Sequence, residues 1–144
     1  MTAVDWWPEQ DGRITDGLTI MCNAEGATTE GAACKFGTST ASQIRVQDAA
    51  AVGDGFGIML KAAASAGEGV PVLVSGLHKM TISGTFTQGA VVMNTATPTI
   101  AIAAGLTAIT TLTTFGGNSR ILGTAMQTAA TTADKCVIFI GKAF

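Results

Sequence analysis

Apolar and polar residues alternate along most of this chain, and the alternation is clearest between Val70 and Ser83. One parity of that stretch carries Val70, Val72, Val74, His78, Met80 and Ile82. A period of two places these side chains on one face of an extended strand. We expect a bend at Gly76, where no side chain packs, and an edge or strand-start position for Pro71. The stretch therefore predicts one long, half-buried strand.

Further strands are predicted on both sides of this one. Residues 18–22 alternate in the same way, whereas residues 136–140 are apolar on both parities, which is typical of a strand covered on both faces. Clusters of turn-forming residues separate the apolar runs at Asn23–Gly26, Gly53–Gly57, Gly67–Gly69 and Gly116–Ser119. Several short strands at such spacing predict an all-β fold, a small barrel or sandwich.

The sequence contains an internal repeat. Thr29–Cys34 is similar to Thr87–Val92, and Gly57–Val74 aligns without gaps with Gly123–Ile140. We therefore predict two copies of one β unit, the second with extra residues in its middle. Two copies are too few for a solenoid, but they suffice to close a small barrel by pseudo-twofold pairing. The length of 144 residues is typical of one domain, so residues 14–144 are predicted to form a single β domain.

Composition narrows the classes of partner. Charged residues make up 12% of the chain, about half the usual share, and the formal net charge is −2. Because contact with a phosphate backbone needs a basic field, we expect no nucleic-acid partner. No apolar run reaches the roughly 18 residues that a membrane span needs, so no membrane partner is expected. A weakly charged surface instead suits a protein that packs against neighbouring proteins.

Few side chains in the sequence offer chemistry. The three cysteines, Cys22, Cys34 and Cys136, are widely spaced and form no cluster with histidine, so we expect buried thiols and no metal site. The single histidine, His78, shares its strand parity with Met80, which favours a place in the core or at a subunit interface. No motif of a phosphate-binding loop or a hydrolase appears. We therefore predict no enzyme, no catalytic residue, no cofactor and no small-molecule substrate.

The first thirteen residues differ from the rest, because they carry both tryptophans of the chain, Trp6 and Trp7. An exposed pair of indole rings is unfavourable unless something covers it. Two interpretations remain open: the rings cap the end of the protein's own barrel, or residues 1–13 form an arm that anchors on another chain. In the second case the arm adds as a strand to a neighbour's sheet edge until Pro8 interrupts the ladder, and Trp6, Trp7 and Pro8 make the contacts.

Several short motifs carry a resemblance to a known family: Thr29–Cys34, Gly57–Ala64, Val70–Gly76, Gln88–Val92, Ile121–Met126 and Cys136–Ile140. With them, roughly residues 14–144 resemble the small β proteins that decorate the capsids of tailed phages, often called cement proteins. This chain departs from the simplest members in its tryptophan-bearing arm and in a threonine-rich insertion at about residues 95–118. The family has no catalytic residues to transfer.

The resemblance implies a β-barrel body and a homotrimer seated at local threefold positions of a viral shell. It also implies that the major capsid protein is the partner and that the function is to stabilise the shell from outside by bridging its subunits. The protein would then lie on the capsid surface of the virion, after a stage in the host cytoplasm during assembly. His78 and Met80 would lie at the trimer interface or in the core.

Two competing functions use the same predicted fold. A stand-alone barrel that binds a small ligand would need an interior pocket with convergent polar groups, for which His78 is the one evident candidate. A small hydrolase would need a nucleophile beside a base, and the sequence shows no such pair.

Overall fold

The structure, a computed structural model of the chain, describes residues 12–13, 17–39, 43–50, 54–82, 85–95, 100–102, 122–129 and 135–141. These residues form ten strands, and no helix long and apolar enough to cross a membrane is found among them. The strands are β1 (Gly12–Arg13), β2 (Leu18–Ala24), β3 (Ala33–Phe36), β4 (Arg45–Asp48), β5 (Gly57–Met59), β6 (Gly69–Thr81), β7 (Val91–Asn94), β8 (Ile100–Ile102), β9 (Gly123–Ala125) and β10 (Lys135–Ile140). The prediction of a small all-β barrel fold is confirmed.

A closed barrel is built from β2, β4, β3, β5 and the first half of β6, since β6 pairs again with β2. The β2–β4 pair is parallel, and the remaining pairs of this ring are antiparallel. The β2–β6 pairing runs from Leu18 with Ser75 to Asn23 with Gly69 and contains one bulge after Leu18. Closure gives each of these strands a partner on both sides, so the ring contains no edge strand.

The alternation read from the sequence determines which side chains fill this first barrel. Val70 and Val72 of β6 point into it, whereas Leu73 points outward, and all three are fully buried. The interior cluster consists of Cys22, Ala24, Ala32, Cys34, Val46, Met59, Ala63, Val70 and Val72. Because both faces of β6 are covered near Leu73, this part of the strand is apolar on both parities.

Strand β6 is thirteen residues long and belongs to two sheets. Beyond the barrel, its second half pairs with β10 on one side and with β1 on the other. From β10 the sheet continues through β9 and β7 to β8. Gly76, where we expected a bend, lies between the two halves with a φ of +142°, a value that favours glycine. Pro71 lies near the start of β6, and its carbonyl accepts the N–H of Leu60.

The second unit repeats the first one strand by strand. The strands β4, β3, β5 and the first half of β6 correspond to β8, β7, β9 and β10, while β2 corresponds to the second half of β6. The register partners match at each corresponding strand pair. Between β5 and β6, Ile58 pairs with Leu73, as Thr124 pairs with Phe139 between β9 and β10; between β3 and β5, Ala33 pairs with Ile58, as Val91 pairs with Thr124 between β7 and β9. In the same way, Cys34–Asp48 of β3 and β4 corresponds to Val92–Ile102 of β7 and β8, and Cys22–Val70 of β2 and β6 corresponds to Met80–Cys136 of β6 and β10. The repeat found in the sequence is therefore a repeat of four of the ring's five strand pairings, and the parallel β2–β4 pairing has no counterpart among the described residues.

The turns before the equivalent strands β3 and β7 also have the same conformation. Gly31 and Gly89 both adopt positive φ, at 79° and 86°. Gly31 donates its N–H to the carbonyl of Met59, the last residue of β5, and Gly89 donates its N–H to the carbonyl of Ala125, the last residue of β9, both over 2.8 Å. Because β-carbon atoms strain this left-handed conformation, glycine is the residue that fits both turns.

The arrangement of the two copies differs from our expectation in one respect. We expected both copies to close a single barrel together, whereas the first copy closes its own five-stranded ring. The physical reason is the length of β6: its first half completes the first ring, and its second half begins the second unit. The extra residues of the second copy fall between β8 and β9, and most of them lie outside the described residues.

Candidate interaction surface

His78 and Met80 lie on one face of β6, in register with Ile138 and Cys136 of β10. Their side chains are only 3% and 4% exposed within a single chain. Met80 belongs to the core cluster that contains Ile138 and Cys136, and His78 occupies the interior position that Ile20 has in the first barrel. Both candidates therefore lie inside the second unit and leave little side-chain surface for another subunit.

The tryptophan-bearing segment is described only at its end. Trp6, Trp7 and Pro8 lie outside the described residues. Gly12 and Arg13, the last residues of the expected arm, form β1 and pair antiparallel with Lys79 and His78. The last two residues of the expected arm are therefore part of the sheet formed by the second half of β6.

Five large apolar side chains are exposed among the described residues. These are Leu18, Met21, Phe36, Ile44 and Met126, with exposures between 40% and 68%. Single exposed apolar residues are normal, but a group of them at one place indicates a site of interaction. Three of the five lie at the same end of the first barrel: Phe36, Ile44 and Leu18, which is the first residue of β2 and precedes its bulge.

That end, which we call the apolar end, is formed where β2, β4 and β5 begin and where β3 and the first half of β6 finish. Its side chains are Ile20, Phe36, Ile44, Phe56 and Val74. The rings of Phe36 and Phe56 are stacked, with centroids 4.1 Å apart and planes 9° from parallel. Phe56, Ile20 and Val74 pack against the interior cluster but stay partly exposed. Phe36 and Ile44 are each 51% exposed.

Polar contacts hold the chain around the apolar end. The carboxylate of Glu25 accepts the backbone N–H groups of Thr38 at 2.9 Å and Ser39 at 2.7 Å, just after Phe36. The N–H of Thr38 is the main reason why the pKa of Glu25 is lowered. Lys35 and Asp54 form an ion pair of 3.7 Å that links the segments bearing the two stacked rings. These contacts hold Phe36 in a defined place although it is exposed.

The equivalent end of the second unit is buried. The positions that match Ile20, Phe36, Phe56 and Val74 are His78, Asn94, Leu122 and Ile140. All four of these side chains are at most 3% exposed.

The outer face of the first barrel covers the second unit. Ala33, Ile58 and Leu73, which we call the first outer wall, point away from their own barrel. They belong to the same core cluster as interior residues of the second unit, and their exposures are between 0% and 3%. Next to this wall, the N–H of Gly55 donates to Oδ1 of the fully buried Asn94 over 2.8 Å. An end of the second unit is thus covered by the outer wall of the first barrel.

The described residues show little reactive chemistry. They contain no group of three His, Cys, Asp or Glu side chains that could hold a metal ion. The cysteines are buried and form no disulfide. Burial raises the pKa of the Cys22 and Cys136 thiols, and it raises the pKa of Cys34 to about 12. Since the thiolate is the nucleophilic form, the raised pKa values disfavour reaction of these thiols at neutral pH.

Comparison with known proteins gives a likeness of fold. No family profile and no curated protein sequence matches the chain. Among solved structures, the chain is similar to the head fiber gp8.5 N base of bacteriophage phi29, with a TM-score of 0.54 and 11% sequence identity. The match covers 86% of this chain and 93% of that one. At this identity the likeness establishes a shared fold over nearly the whole of both chains.

Proposed function

We propose that this chain is a structural protein of a phage virion, a capsid decoration protein that binds the outside of the shell and stabilises it by bridging major capsid protein subunits. The observation that carries the proposal is the fold shared with a phage head fiber base over most of both chains. The resemblance of its motifs to capsid cement proteins points to the same class of protein independently.

The proposed partners are the major capsid protein and further copies of this chain in a homotrimer. A symmetric trimer repeats each contact three times, so that weak contacts to a shell add up through avidity. With only 12% charged residues, such contacts bury few charges that would otherwise need compensation. In this proposal the protein acts on the capsid surface, after assembly in the host cytoplasm, and has no nucleic-acid or membrane partner.

We propose no enzymatic activity and no cofactor. The proposal is supported by the burial of His78 and by the raised pKa of the three buried thiols, which disfavours their nucleophilic thiolate form at neutral pH. The competing function, a barrel that binds a small ligand, is weakened by the apolar side chains that fill the interior of the first barrel. A ligand site needs polar groups that converge on a cavity.

The binding step can be tested with shells assembled from the major capsid protein encoded in the same genome. Purified protein should sediment with these shells in a saturable way and should raise the temperature at which they break. The neighbouring genes provide an independent check, since decoration proteins are expected beside the genes for terminase, portal, protease and major capsid protein. Protein that stays in the supernatant at every ratio would contradict the proposed function.

The arm provides a sharper test of the contact. Deleting residues 1–11 leaves β1 in place, so the body should fold normally while its affinity for shells falls about tenfold or more, which corresponds to about 1.4 kcal/mol. Replacing both Trp6 and Trp7 by alanine should cause most of that loss, because each indole can bury about 150–250 Å². Met21→Ala, which removes an exposed apolar side chain from the body, is the matched control and should bind like the parent protein.

The two interpretations of the tryptophans give different outcomes. If the arm binds another chain, the double variant keeps its thermal unfolding temperature and loses affinity. If it unfolds more easily while affinity per folded molecule is unchanged, the rings cap the protein's own barrel instead, and the arm is not the capsid contact.

A further inference from the structure

We propose that the apolar end of the first barrel binds the second unit of another copy of this chain, at Val91, Thr124 and Phe139. These three residues, which we call the second outer wall, are the register equivalents of Ala33, Ile58 and Leu73 in the first outer wall. The proposed contact repeats between chains the contact that already exists within one chain. It concerns copies of this protein alone and goes beyond the binding to a capsid.

The contact within the chain has two halves. One half is the end of the second unit, where His78, Asn94, Leu122 and Ile140 are buried. The other half is the first outer wall, whose side chains join the core of the second unit and whose neighbour Gly55 bonds to Asn94. This packing shows that a wall of this repeat and an end of this repeat are complementary surfaces.

Each half has a counterpart that is exposed within one chain. The apolar end includes Phe36 and Ile44, each 51% exposed, whereas its equivalent in the second unit is buried. The second outer wall consists of partly exposed side chains, whereas its equivalent residues Ala33, Ile58 and Leu73 are 0–3% exposed. The chain thus carries one further end and one further wall that are more exposed than the pair it already uses.

The chemistry of the two surfaces favours a second copy as the occupant. The apolar end is formed by aliphatic and aromatic side chains, and the second outer wall by Val91, the methyl-bearing Thr124 and the ring of Phe139. Such surfaces gain from mutual burial, and aromatic residues contribute strongly to protein interfaces. Both belong to the same folded body, so a partner of the right shape is present whenever the protein is.

The proposed contact is heterologous, because an end on one chain meets a different surface, a wall, on the next. Two chains joined in this way still have one end and one wall available. Association therefore continues until a ring closes or a filament forms. A closed ring of three by this contact agrees with the trimer of the proposed function but does not require a capsid.

The first experiment measures the size of the full-length protein by light scattering and sedimentation velocity over a range of concentrations. The parent protein should form either a ring of defined size or a filament that lengthens with concentration. Phe36→Glu, at the apolar end, and Thr124→Glu, on the second outer wall, should each weaken assembly about tenfold or more, since a buried, unpaired carboxylate opposes the contact. Met21→Glu adds the same charge at a more exposed position outside both surfaces and should assemble like the parent.

Mixing the two variants distinguishes this arrangement from others. The Phe36→Glu chain keeps an intact wall and the Thr124→Glu chain keeps an intact end, so a mixture should form a one-to-one dimer and stop there. Circular dichroism and thermal unfolding confirm that each variant is folded. If either variant fails to fold, Ile44→Glu replaces the first and Val91→Glu replaces the second.

Three results would overturn the proposal. One is a parent protein that stays monomeric at its highest soluble concentration. Another is assembly that is lost with Phe36→Glu but is unchanged with Thr124→Glu, which would mean that two apolar ends meet each other. The third is a mixture of folded variants that yields no dimer.

Discussion

At the scale of single residues, Cys34 couples the stability of the first barrel to pH. Its thiol is fully buried, and burial raises its pKa from 9.0 to about 12. In the unfolded chain the thiol loses its proton near pH 9.0, whereas in the folded chain it keeps it. The protonated Cys34 thiol therefore makes its full contribution to the free energy of unfolding below pH 9.0, and this contribution is lost as the pH rises toward about 12.

We expect Cys34→Ala to change this dependence on pH. The variant should be less stable overall because it leaves a small cavity, but its stability should fall less steeply above about pH 9 than that of the parent. Urea unfolding at several pH values between about 8 and about 11 measures both slopes. Equal slopes for the two proteins would show that Cys34 does not titrate differently in the folded and unfolded chains.

Gly31 and Gly89 give a second prediction at this scale. A β-carbon would meet nothing within 4 Å at either position, so only the positive φ opposes substitution. Alanine at either site should lower the free energy of unfolding by about 1–2 kcal/mol, and by similar amounts because the turns are equivalent. Chemical denaturation of Gly31→Ala and Gly89→Ala measures this. Gly26→Ala, at an open position with no positive φ, is the control and should change stability little.

The interior places of Val70, Val72 and Met80 followed from their parity in the sequence, because a period of two assigns side chains to faces. The exposed apolar end did not follow from the sequence. Phe36 has the parity of Cys34, which predicts an inward side chain, but it lies at the last residue of β3 where the barrel opens. Exposure there depends on what covers the end, and that is a property of tertiary structure.

At the scale of elements, the long strand β6 explains both the success and the limit of the sequence prediction. Alternation from Val70 to Ser83 predicted one strand, and β6 spans Gly69–Thr81. The sequence also showed that Gly57–Val74 and Gly123–Ile140 are copies of one unit. It did not show that β6 serves both units, because pairing partners distant in sequence leave no periodic signal on the strand itself.

Asn94 lies where the two units are joined, and its substitution tests how much its hydrogen bond contributes to that junction. Its Oδ1 accepts the N–H of Gly55 over 2.8 Å in a fully buried place. Asn94→Ala should leave that N–H without its acceptor and lower the free energy of unfolding by about 1–3 kcal/mol. The control Thr128→Ala removes an exposed hydroxyl that bonds to the N–H of Gln88, and it should cost less because water can replace the bond.

If Asn94→Ala and Thr128→Ala lower the free energy of unfolding by comparable amounts, the buried hydrogen bond of Asn94 does not have the role given to it here. In that case the Gly55–Asn94 bond would contribute no more than a surface hydrogen bond, and the packing of the first outer wall alone would join the units.

At the scale of the whole molecule, the protein consists of two copies of a small β unit, packed so that the wall of one covers the end of the other. The remaining end and wall are the surfaces through which we propose that copies associate. The segment that precedes β1, with Trp6 and Trp7, is proposed to add contacts to the shell. Weak contacts of this kind become strong when a symmetric assembly repeats them.

An electron cryomicroscopy reconstruction of shells with and without the protein would show directly whether it decorates the capsid. The shells are assembled from the major capsid protein encoded in the same genome. The proposed function predicts added density on the outer surface, at repeated positions, where each copy bridges neighbouring capsid subunits and the five-stranded barrel with its second unit fits the density. Shells that look identical with and without saturating protein, or density confined to the inside of the shell, would contradict a role in capsid decoration.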